Sequence, residues 1–240
     1  MTRFGAAVRF DIRLQLRQGF YAAYVIISAV YIVLLRSIGS GEAKEMAEIV
    51  ITFSDPSMLG FYFVGGLVLL EKNQRILDPL MVTPLRVREY LMSKVISLAF
   101  LSAMAGSVVR LGAFGLGGHW FGFVAGMLLT SIFFTLFGLG VAVRCCTVNQ
   151  YFIESTLSAL VFTLPVLDAV HVWSTPLFYL LPSKASLLLI ESMFSRLGVW
   201  EYVYGFGSLI VWIVLAYVWA DRSFRRFVVL RAQEGREAAV

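Results

Sequence analysis

The chain has 240 residues, is 59% hydrophobic and 15% charged, and has a mean hydropathy of +0.82, which excludes an ordinary soluble domain. Crossing about 30 Å of hydrocarbon takes about 20 apolar residues per helix, so the length allows about five to seven spans and no soluble domain of usual size beside them. The net charge of +5 is therefore read by position, as a guide to topology, and not as a nucleic-acid footprint.

Residues 1–18 are too polar to span. At 100° per residue Arg9, Arg13 and Arg17 fall within about 80° of one another, beside an apolar stripe of Phe4, Val8, Ile12 and Leu16. This predicts an amphipathic interfacial helix with its arginines toward anionic lipid. Span one follows over 19–35 with no convincing cleavage site after it, so it reads as an uncleaved anchor. Span two covers 49–70 and is interrupted by "SDPSM", where Asp55 is a good N-cap and Pro56 a good first helical residue. A short helix then precedes the continuous one. Spans three to six are predicted at about 87–116, 120–143, 152–170 and 200–220. Between the last two, 173–199 mixes short apolar pieces with Pro176, Pro182, Lys184, Glu191 and Arg196, which suits two short re-entrant helices in the outer leaflet. Residues 221–240 form a basic tail.

The expected fold is an all-α integral membrane protein, a single transmembrane domain over 1–240 with six transmembrane helices. With both termini in the cytoplasm, all Lys and Arg but five lie on the inner side; Arg36, Lys44, Lys184 and Arg196 are outside and Arg110 is within span three. Asp55, Arg110 and Asp168 are costly in hydrocarbon and are expected to face the bundle interior, a cavity or each other. Leu91 to Arg110 is about 28 Å of helix, which puts Arg110 near the outer boundary, where Asp55 and Asp168 also fall. A structural Arg/Asp pairing and a substrate-facing outer gate both fit. Phe61 and Phe63 are candidates to line a greasy path, although Phe is also common on lipid-facing surfaces. Gly122, Gly126, Gly138 and Gly140 read as close-packing positions, and Cys145 and Cys146 as two ordinary thiols.

No phosphate-loop, H-E-x-x-H, G-x-S-x-G or paired Cys/His pattern is present. The expectation is a transport subunit and not an enzyme, with no cofactor or metal of its own. The informative stretch is "EKNQRILDPLMVTPLRVREYLMSKV", from Glu71 to Val95, which topology puts in the cytoplasm between spans two and three. Ile76, Leu77, Leu80, Met81 and Val82 suffice for a short helix lying across the membrane axis. Thr83 and Pro84 then turn the chain into span three. A solvated loop needs only polar and turn residues, whereas this one offers apolar anchors for a partner.

From Glu71 to Lys94, the pattern E-K-N-x-R-x-L-D-x-L-x-V-T-P-L-R-x-x-E-Y-L-x-x-K resembles the stretch after the second span in ABC-2-type permeases, the membrane subunits of type V ATP-driven exporters. The span number, the N-terminal helix and the broken segment before the last span are similar too, so the resemblance covers nearly the whole chain. Upstream, "FSDPSMLGFYFVGGLVLLEKN" is similar to a bacterial and archaeal branch of these permeases, some labelled antibiotic or fluoroquinolone exporters. The resemblance implies a multi-pass protein of the prokaryotic plasma membrane that moves a hydrophobic or amphipathic substrate, a drug or lipid, out of the cell. It implies that residues 71–86 form a coupling helix docked on a separate ABC ATPase subunit carrying ATP and Mg, and that a second permease, identical or homologous, completes the pathway. Glu71, Arg75, Leu77, Asp78, Leu80 and Met81 would form the docking surface, with Arg86 and Glu89 at its exit. The other partners are membrane lipids and the substrate, with no nucleic acid. A rival reading is an ion-coupled secondary transporter using Asp55, Asp168 and Arg110 as a relay, which inverted repeats would favour; none is evident. An intramembrane enzyme would need a convergent set of catalytic groups, and the sequence offers no such set.

Overall fold

The computed structural model describes residues 3–54, 58–74 and 87–229, and its described elements are helical. Helix α1, Arg3–Arg17, carries its three arginines Arg9, Arg13 and Arg17 on the exposed side. Gly19, at φ 79°, takes the left-handed turn that ends α1 and starts α2, Phe20–Ser37, a conformation that favours glycine. Helix α2 is peripheral: Tyr24, Ser28 and Leu35 make its buried stripe, while Val25, Ile26, Val30 and Val33 are exposed.

Two helices cover the region read as span two: α3, Glu42–Thr52, which begins before residue 49, and α4, Leu59–Asn73. Asp55 and Pro56 lie outside the described residues. Helix α5, Val87–Phe114, and helix α6, Trp120–Ala142, are long and joined by a short turn in which Gly115 and Gly118 have positive φ. Helix α7, Val148–Thr163, starts on Thr147, whose hydroxyl accepts from the Gln150 backbone N–H. It gives way at Pro165, which has no N–H to donate, to the single turn α8, Val166–Ala169. A short 3₁₀ helix, Pro176–Leu180, leads into α9, Pro182–Glu191, and α10, Val199–Phe224, runs on into a π turn at Arg225–Val229.

Helix α6 forms the centre and packs against α4, α5, α9 and α10. Its buried face carries Phe123, Met127, Phe133, Phe134 and Leu139, which join Phe61, Val64 and Val68 of α4 in one core. A Cβ at Gly138 would lie 2.7 Å from the Phe61 carbonyl oxygen, so α4 and α6 meet backbone to backbone there. Among the described residues, four helices are long and apolar enough to cross a membrane: Phe20–Ser37, Arg88–Phe114, Trp120–Ala142 and Val199–Phe227. Helices α4 and α7, with 15 and 16 residues, are shorter than the about 20 residues a full crossing takes. The chain is thus an all-helical, multi-pass membrane protein.

Candidate functional site

The buried charged side chains gather at the two ends of the bundle. At the end where α4 stops and α5 begins, the buried face of α1 is its polar one: Asp11 and Gln15, four residues apart, face Ser93, Lys94 and Ser97 of α5. Lys94 is 1% exposed, and its Nζ lies 2.7 Å from Glu71 Oε1 on α4 and 3.2 Å from Asp11 Oδ1 on α1. The second oxygen of each carboxylate is also satisfied, since Tyr90 Oη donates to Glu71 Oε2 at 2.5 Å and Ser93 Oγ donates to Asp11 Oδ2 at 2.5 Å. Gln15 Nε2 adds a bond to Ser97 Oγ at 2.8 Å, and the Lys94 ammonium lies 4.8 Å from the centre of the Tyr90 ring. One cation thus joins three helices, and two of them flank residues 75–86.

Lys72, next to Glu71, turns the other way and donates to the Cys145 carbonyl at 2.9 Å, tying the end of α4 to the turn between α6 and α7. Cys145 is buried; burial first, and then the Glu154 carboxylate 3.6 Å from its sulfur, push its thiol up to about 11. Cys146 is exposed.

The opposite end holds Arg110, whose ion-pair partner among the described residues is Glu48; Asp55, one of the two acids expected beside it, lies outside them. Arg110 Nη1 donates to Glu48 Oε2 of α3 at 2.8 Å, its Nη2 to the Gly117 carbonyl at 3.2 Å, and its guanidinium stacks 4.4 Å from the Phe114 ring centre and 4.6 Å from that of Phe194. Glu48 is brought to Arg110 by α3, which packs against α2, α8 and α9. Asp168 is paired instead with Lys184 of α9. Arg110 and Asp168 are therefore held by different partners and do not form one relay. Beside them lies a cavity of about 510 Å³ lined by Glu42, Glu45, Asp168, His171, Lys184 and Glu191, among others.

The remaining expected site residues are scattered. Glu71, anticipated on a docking surface, is 4% exposed and engaged inside the chain, and Glu89 is half-buried at the start of α5. Arg75, Leu77, Asp78, Leu80, Met81 and Arg86 lie outside the described residues, as does Asp55. Phe61 is at the centre of the core against Phe134, Phe137 and Tyr151, whereas Phe63 meets Phe20 and Tyr24 of α2, so the two rings serve different contacts. The sequence does not reveal Asp11, Glu48 or the burial of Lys94, which the topology only counts among the inner-side charges. The hint for Asp11 is a lone acid among arginines, with Gln15 one turn on. Among the described residues, no group of three His, Cys, Asp or Glu could hold a metal ion.

Residues 2–232 match the fluoroquinolones export permease protein family. Two proteins named fluoroquinolones export permease, from Mycobacterium tuberculosis strains CDC 1551 / Oshkosh and ATCC 25618 / H37Rv, are each 31% identical to this chain over 235 residues, covering 97% of it and 99% of their own length. The family is the branch to which "FSDPSMLGFYFVGGLVLLEKN" pointed. By a match that spans nearly its whole length, the chain belongs to the fluoroquinolones export permease protein family.

Proposed function

We propose that the chain is the membrane subunit of an ATP-driven exporter that works as two permeases with two separate ATPase subunits. The observation that carries this reading is the Lys94 cluster, which binds α1 to both helices flanking residues 75–86. A push on that loop is then delivered to α1, α4 and α5 together and is not absorbed by one flexible arm. Arg75, Leu77, Asp78, Leu80, Met81, Arg86 and Glu89 supply the docking face, apolar residues giving most of the affinity and charges the register. Glu71 has the different task of anchoring the base of the loop.

In this reading both termini are cytoplasmic, α3 with α4 and α7 with α8 complete six spans, and the substrate path lies between the two permeases. The 3₁₀ helix Pro176–Leu180 and α9 form the outer gate, held by Asp168–Lys184 and, behind it, Arg110–Glu48. The names of the two relatives support planar aromatic antibiotics among the substrates, within a wider class of hydrophobic or amphipathic molecules.

The test is co-purification with the cognate ATPase. Leu77→Asp with Leu80→Asp should detach the ATPase and abolish drug-stimulated hydrolysis in vesicles while the permease still elutes as a folded species. An intact complex with normal turnover would refute the assignment. Cysteine labelling at positions 78 and 228 should proceed from the cytoplasmic side and at position 42 from outside; labelling of 228 from outside would overturn the six-span arrangement.

A further inference from the structure

Between α6 and α10 the bundle surface is concave. Phe133 and Phe137 of α6 and Trp212, Leu215, Ala216 and Trp219 of α10 line a groove of about 360 Å³. Its floor is rigid, with Phe137 and Trp219 stacked at 5.1 Å and Trp212 edge-on to Phe133 at 6.0 Å. The groove is built from side chains of one half of each helix: Trp212 to Trp219 spans roughly 10 Å, and Trp212 to Arg226 roughly 21 Å. That is one leaflet of a bilayer with roughly 15 Å of hydrocarbon, plus its headgroup region.

The end of the groove carries two arginines. Arg144 Cζ lies 4.8 Å from the Trp219 ring centre and 5.7 Å from that of Phe227, and Arg226 Cζ also lies 5.7 Å from the Phe227 ring centre. Two guanidiniums therefore share one aromatic ring. Both are exposed, and neither belongs to an ion pair found among the described residues, whereas their neighbour Arg225 is taken by Asp221 at 2.9 Å. Guanidiniums held on aromatic rings, with N–H groups free, suit a phosphate.

We propose that this groove seats one acyl chain of an anionic phospholipid, with the lipid phosphate lying between Arg144 and Arg226. The inference is independent of ATP coupling. The lining is apolar and offers an acyl chain contact along its length, and the charge sits where the headgroup layer would be. A second copy of the chain suits the groove poorly: a two-fold contact would bring this patch against itself, and with it two arginines that have no ion-pair partner among the described residues.

Trp212 and Trp219 report on the occupant. The full-length protein is placed in phosphatidylcholine vesicles, and either dibrominated phosphatidylglycerol or dibrominated phosphatidylcholine is added to quench tryptophan on contact. Phosphatidylglycerol should quench part of the emission at a several-fold lower mole fraction, over a baseline from Trp173 and Trp200 that both lipids quench alike. Trp219→Phe should shrink that selective part, and Arg144→Gln with Arg226→Gln, both at exposed positions, should abolish the preference with elution and circular dichroism unchanged. Equal quenching by the two lipids, or a preference that survives the double substitution, overturns the proposal. So does a groove that neither lipid quenches, which would mean that another chain fills it.

Discussion

Both ends of the bundle bury a positive charge, and they satisfy it in different ways. At the loop end Lys94 faces two carboxylates, each with its second oxygen bonded to a hydroxyl. At the other end Arg110 faces one carboxylate, and Glu48 Oε1 and Arg110 Nε are left without hydrogen-bond partners while the rings of Phe114 and Phe194 cover the guanidinium. The first is a joint of three helices hinged on one ammonium; the second is a tie between two helices padded by aromatic surface. Removing the cation should therefore hurt the loop end more, since two like charges would be stranded there and only one at the other.

The sharpest way to break this contrast is Lys94→Met, which leaves Asp11 and Glu71 buried and facing each other. It should cost about 3–5 kcal/mol, read as loss of monodisperse protein after heating in detergent, and adding Glu71→Gln should restore part of it. A Lys94→Met protein that melts with the parent would show that the cluster is not a joint. Arg110→Met should cost less, about 2–3 kcal/mol, because a lone Glu48 can take up a proton and methionine can still pack on the two rings. Asp168→Asn, which breaks a pair with side chains 16% and 15% exposed, should cost at most about 1 kcal/mol. The smallest effect is chemical. Maleimide at pH 8 should modify Cys146 and spare Cys145, whose thiol stays protonated and buried. An adduct on Cys145 first, seen by peptide mass spectrometry, would mean that the loop end is more open than its hydrogen bonds suggest.

Much of the bundle could be read before its structure was known. Unbroken apolar runs put α2, α5, α6 and α10 within a few residues of their observed limits. The ion pairs were less legible. Hydropathy places a charge along the membrane normal but gives no helix rotation, so it locates Arg110 by depth without naming Glu48 as its partner. Glu48 escaped notice because it lies outside the apolar window of span two, and Lys94 because a lysine near a helix start reads as surface until two acids from distant segments are brought to it. Glu71 carries the same lesson from the opposite side: a charged residue at the start of a charged loop reads as part of its outer face, whereas its carboxylate is buried against Lys94 and Tyr90.

The Lys94 joint also imposes an order on biogenesis. Asp11 and Lys94 are 83 positions apart, so at about 5–20 residues per second roughly 4–17 seconds of synthesis separate them. During that interval α1 has its acid but lacks the lysine that holds it in the finished fold. Its final seat exists only once α5 has been made. The lysine, arriving late, clips the first helix of the chain onto the fifth.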